Sequence, residues 1–91
     1  MDYNYPIVED WTVEELVTVM EFYESVEKAY ETGISRVKFM GAYRAFKEIV
    51  PSKSEEKKLF KEFEKVSGYS SYSIVSAARD LKDEEMIKGK V

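Results

Sequence analysis

The sequence contains neither cysteine nor histidine. That excludes a disulfide scaffold, a thiolate or imidazole zinc site, a Cys/His nucleophile pair and a Ser-His-Asp triad. Its four glycines stand apart at Gly33, Gly41, Gly68 and Gly89, so neither a Walker loop nor a dinucleotide fingerprint can be drawn. No uninterrupted apolar run approaches the ~20 residues that a membrane-spanning helix needs. The opening Met1-Asp2-Tyr3-Asn4 has neither the basic nor the apolar region of a secretory signal. The expectation is a cytoplasmic protein with no membrane contact and no cofactor.

What is present is one small globular domain. The chain has 91 residues, of which 44% are hydrophobic and 35% charged, a balance that favours a packed core over disorder. At this size a domain buries roughly 60–65% of the surface that its unfolded chain exposes, so the core is thin. The net charge is -4, but the charges are sorted along the chain. Residues 1–33 carry nine acids against Lys28 alone, residues 34–66 carry nine bases against five acids, and residues 67–91 are neutral. The acidic third is expected to lie near the basic third, giving an attraction that salt weakens.

The periodicity predicts helices throughout, with no period-two stretch of strand length. Residues 1–11 read as an extended aromatic arm, because Pro6 biases Tyr5 away from helix. Thr12 and Glu15 form a capping box, Trp11 is placed to staple onto Leu16, and Gly33 stops the first helix. Ser35 is the expected cap of a second helix that ends before Pro51. Within it Gly41 costs about 1 kcal/mol against alanine, a cost that close helix contact would explain. Ser52 or Ser54 begins the third helix, with Ser52 and Glu55 as a second capping box, and Gly68 closes that one. A fourth helix carries Ile74, Val75, Ala78 and Leu81. The predicted architecture is all-α, a single-domain bundle of about four helices over residues 12–82, followed by a charged, frayed tail over 83–91.

Three groups of residues are candidates for function. Lys53, Lys57, Lys61 and Lys65 repeat at four-residue spacing on the third helix, and Arg36, Arg44 and Lys47 lie on the polar side of the second. Such cations suit an acidic protein surface or a phosphate backbone, unless they form only a solvated face. Glu21, Glu24, Glu27 and Glu31 form a row on the first helix. Paired carboxylates can do acid–base work or hold a hard cation, but a di-iron bundle needs histidines that are absent here. Glu27, at the edge of the apolar stripe, is the one expected to be half-buried and paired with a base from the second helix. Tyr3, Tyr5 and Trp11 on the arm, with Tyr69 and Tyr72 at the last corner, either close the core or form an interaction patch.

Three ordered motifs carry a family resemblance. Tyr3-x-Tyr5-Pro6 with Asp10-Trp11-Thr12, the run Phe46 to Lys53 followed by Glu55-Glu56-Lys57-Lys58, and Ser67-Gly68-Tyr69-Ser70-x-Tyr72 resemble the YktA-like proteins of the UPF-0223 group of Gram-positive bacteria. The resemblance implies a short, all-helical cytosolic protein and brings no catalytic or binding residues with it. The residues themselves lead to a non-enzymatic protein-interaction module that binds another protein or itself. In that reading Tyr3, Tyr5, Trp11, Tyr69 and Tyr72 form the apolar patch, with the basic residues as its rim. The alternatives are RNA binding through the basic faces, and a carboxylate-dependent enzyme or metal binder using Glu24, Glu27 or Glu31.

Overall fold

Thr12 starts the first helix as its spacing predicts. Its hydroxyl accepts from the Glu15 backbone N–H at 3.1 Å, and the Glu15 carboxylate accepts from the Thr12 N–H at 2.9 Å, so two otherwise orphaned donors are met. The computed structural model describes residues 4–90. In chain order they form α1 (Val13–Glu31), β1 (Ile34–Ser35), α2 (Arg36–Ile49), α3 (Lys53–Ser67), α4 (Ser71–Arg79) and β2 (Met86–Ile87). The class is all-α, as the periodicity implied. Gly33 and Gly68 follow α1 and α3 with φ of +90° and +82°, the left-handed turn that reverses a helix end and that a side chain would strain.

The core is built around one ring. Phe22 of α1 lies 4.5 Å from the ring of Phe46, 5.8 Å from Phe39 and Tyr43, and 5.7 Å from Phe60. It thereby binds α1 to α2 and α3 at a single point. Beside it, Tyr23 stacks on Phe63 at 4.7 Å. The arm lies on this second stack. Tyr5 sits 5.4 Å from Tyr23, Pro6 is buried, and the Tyr23 hydroxyl donates to the Pro6 carbonyl at 3.0 Å. Trp11 packs against the same core. Tyr3 falls outside the described residues.

Two expectations fail at the start of α2. The Ser35 side chain makes no capping bond, and its buried hydroxyl has no partner among the described residues. The orphan donors are met from the tail: the Arg36 N–H bonds the Glu85 carbonyl at 2.9 Å, and the Val37 N–H bonds that of Asp83 at 3.2 Å. The tail is therefore not frayed over its described length. β2 pairs antiparallel with β1, Ile34 opposite Ile87 and Ser35 opposite Met86. Ile87 is 1% exposed, and Gly89 presses on Tyr30 and Ile74 where a Cβ would collide. The sequence pattern hid this because Met86-Ile87 is an apolar pair set among charges, and its partner strand is only two residues long.

Gly41 also departs from expectation. Apart from the backbone of its own helix turn, nothing lies within 4 Å of where its Cβ would stand, so it permits no close contact with another element. Gly41→Ala should then raise the unfolding free energy by about 0.5–1 kcal/mol, read by chemical denaturation. In the opposite direction, Ile87→Ala should cost about 2–4 kcal/mol in the same assay, whereas a loose tail would leave stability unchanged.

Candidate functional site

The lysine row does not stay on one face. Four residues overshoot a 3.6-residue turn, so each step rotates the row by about 40° and Lys65 is turned about 120° from Lys53. Lys53 and Lys57 consequently border a hollow between α2, α3 and α4, Lys61 borders the next hollow along, and Lys65 lies beside Asn4, Pro6 and Val66. The second helix is split as well. Arg36 is held by the Ala78 carbonyl at 2.6 Å and by an ion pair with Asp83, and the exposed Arg44 lies apart from both hollows. Of that trio Lys47 alone reaches the site.

The first hollow has a volume of about 300 Å³. Its inner wall is a polar knot. Glu56, only 8% exposed, accepts from the Tyr43 hydroxyl at 2.7 Å and from the Lys47 ammonium at 2.8 Å. A buried carboxylate needs such donors to offset the loss of water. Burial pushes the Tyr43 phenol up to about 12, the bond to Glu56 adds to the rise, and the Arg79 guanidinium opposes it. The rest of the hollow combines the rings of Phe60 and Tyr72 and the side chain of Val75 with Lys53, Lys57 and Arg79. A second hollow of about 280 Å³ shares Lys57, Phe60 and Tyr72 with the first and continues past Lys61, Glu64 and Ser71. Together they form one groove along α3 and α4. No local pattern marks Arg79, a lone base on the fourth helix, and its charge becomes relevant only when α4 folds back on α3.

The aromatic candidates separate into two places. Tyr72 stands in the groove, 65% exposed. Tyr5 and Tyr69 meet α1 instead: the Tyr5 hydroxyl donates to Glu27 at 2.7 Å, and the Tyr69 hydroxyl donates to Glu31 at 3.2 Å while its ring stacks on Tyr30 at 4.7 Å. Burial raises the phenol of Tyr5, with nearby Glu24 and Glu31 adding to the effect, and burial likewise raises that of Tyr69, reinforced by Glu31. Trp11 is half-buried in the core margin. The partner expected for Glu27 was a base from α2. The structure supplies the Tyr5 phenol, and burial, followed by repulsion from Glu31, holds the Glu27 carboxyl above its ordinary range. Glu21, Glu24 and Glu31 are exposed, and among the described residues no three His, Cys, Asp or Glu side chains cluster closely enough to hold a metal ion.

The acidic and basic thirds do not pair. Among the described residues the ion pairs are Arg36–Asp83 and Lys47–Glu56, and neither joins α1 to α2 or α3. The α1–α2 contact is made by apolar faces, so the intramolecular attraction expected from the charge pattern is not what seats these helices.

A raised tyrosine pKa means that the folded state holds its proton more tightly than the unfolded one. The Tyr43 contribution is complete below pH 10 and is lost as the pH climbs through about 12. Between those limits stability should fall more steeply in the wild type than in Tyr43→Phe, measured by denaturant titration alongside phenolate absorbance.

The chain matches the family model described as "Uncharacterised protein family (UPF0223)" over residues 2–87. It is 50% identical over 90 residues to a UPF0223 protein of Staphylococcus aureus, covering 99% of each chain. It is 49% identical over 88 residues to one of Bacillus cytotoxicus, covering 97% of this chain and 99% of that protein. A UPF0223 protein of Lysinibacillus sphaericus is 50% identical over 88 residues, covering 97% of this chain and 93% of that relative. All three organisms are Gram-positive. Near end-to-end identity at this level, together with the three motifs and the helical fold, makes this chain a member of the UPF0223 family.

Proposed function

We propose that the protein is a non-enzymatic protein-interaction module, and that its docking surface is the groove between α2, α3 and α4. The observation that carries this reading is the state of its cations. Lys53, Lys57 and Arg79 border the hollow beside the exposed ring of Tyr72, and none of them meets a carboxylate in an ion pair among the described residues. Charges gathered beside an exposed aromatic ring suit a partner that covers both, the charges steering the encounter and the ring supplying the grip. Tyr72 fits the role of anchor, since tyrosines with large exposed area at the centre of a patch carry much of the binding energy at interfaces.

RNA binding is less well supported. A backbone needs a continuous track of cations, and here Arg36 is committed to Asp83, Lys47 to Glu56, while Lys65 faces elsewhere. The test is a photo-crosslinker in place of Tyr72, applied in the lysate of a Gram-positive bacterium that carries a family member. The expected result is one protein adduct that resists nuclease and that falls about tenfold when Lys57→Glu and Arg79→Glu are introduced together, with the thermal unfolding temperature unchanged. A nuclease-sensitive adduct, or none at all, would count against the proposal.

A further inference from the structure

Granting that the groove docks a protein, we infer that its occupant is an acidic peptide segment of another protein, one that lays an aromatic or branched aliphatic side chain against the exposed ring of Tyr72 and sets its carboxylates on Lys53, Lys57 and Arg79. Three features of the groove lead there. Its charge is positive on a molecule whose net charge is -4: the two hollows gather Lys47, Lys53, Lys57, Lys61 and Arg79 against Glu56 and Glu64, and Glu56 is already consumed by Lys47 and Tyr43. Its shape is that of two small hollows sharing the wall made by Lys57, Phe60 and Tyr72. At about 300 and 280 Å³ each, they lie at the bottom of the ~300–1,000 Å³ range of small-molecule pockets. A chain laid across the shared wall fits this better than one compact ligand, because it can place one side chain on each side. Finally, the exposed apolar surface of the groove is the Tyr72 ring, 65% exposed, with Phe60 and Val75 nearly buried behind it, while the rim is charged, so a purely acidic segment leaves Tyr72 uncovered and a purely apolar one leaves three ammonium or guanidinium groups without a counter-charge.

A second copy of this chain offers similar chemistry. The exposed face of α1 sets Val13 and Val17, 74% and 50% exposed, among Glu14, Glu21 and Glu24. The placement is wrong, however. Tyr43 and Lys47 face the groove, whereas Val37, Gly41 and Ala45 border a hollow against Thr18 and Glu21 of α1, on the other flank of α2. An α1-to-groove contact between copies would thus run head to tail and fail to close into a two-fold pair. A separate acidic partner avoids that problem.

The probe is a displayed library of random linear peptides, selected on the full-length protein at low salt in the absence of nucleic acid. Enriched peptides are expected to share an excess of Asp and Glu around at least one Phe, Leu or Ile. Their affinity should fall about tenfold or more on the Lys57→Glu/Arg79→Glu double variant and weaken as salt is raised. Lys65→Glu, which makes a single charge reversal on the face that turns away from the groove, should leave affinity within about twofold of wild type. Circular dichroism of each variant separates lost binding from lost folding. Enrichment of neutral or basic peptides that still crosslink at Tyr72 would overturn the acidic occupant while leaving the groove as a docking surface. No enrichment, together with no crosslink at Tyr72 in lysate, would overturn both. Head-to-tail oligomers that form with rising concentration and bury Tyr72 would assign the groove to a second copy and overturn the inference.

Discussion

The packing of Phe22 is the contact on which the rest depends. One fully buried ring touches Phe39, Tyr43 and Phe46 of α2 and Phe60 of α3, so the angle between three helices is set by aromatic surface instead of by charge. Aromatic side chains bring large buried area and a restricted set of good geometries, which is how a thin core can still define a single arrangement. Two of those rings have a second duty. Tyr43 turns its hydroxyl outward to Glu56, and Phe60 forms the floor of the groove. The wall of the candidate site is therefore the outer side of the core, and its shape is as fixed as the core itself.

The ends of the chain complete what the helices leave open. The arm covers the Tyr23–Phe63 stack with Tyr5 and Pro6, and the tail caps α2 with two backbone carbonyls while Ile87 fills the gap beside Ile34. Neither segment has internal regularity. Each is ordered by what it covers, and each meets polar groups that would otherwise be buried without partners. With the described parts of the arm and the tail committed to the body of the molecule, the groove between α2, α3 and α4 is left uncovered among the described residues.

Much of this was legible in the residues. The capping box at Thr12, the stops at Gly33 and Gly68, and the stripe of Ile74, Val75 and Ala78 on the fourth helix are local signals, and these survive folding. What escaped is non-local. Ser35 looks like a cap, but whether a serine or a distant carbonyl meets the first N–H groups of α2 depends on where Asp83 and Glu85 arrive. The lysine row looks continuous because four-residue spacing is close to a helical turn, and the small overshoot that scatters it becomes visible only along the whole of α3. The groove itself unites residues from 43 to 79, and Arg79 joins Lys53 and Lys57 only through the reversal at Gly68. Charge sorting was visible, but its use was not: opposite charges in neighbouring segments suggested pairing, and apolar packing decided otherwise.

The aromatic core, not attraction between the acidic and basic thirds, holds the helices, and Lys53, Lys57 and Arg79 are left without an ion-pair partner among the described residues. The most direct measurement is the midpoint of thermal unfolding as sodium chloride is increased at neutral pH. Crowded like charges on α1 and around the groove repel, and screening relieves them, so the midpoint should hold steady or rise. A midpoint that falls steadily with added salt would show that the two thirds attract each other in the folded protein, and would contradict the dominance of the aromatic core.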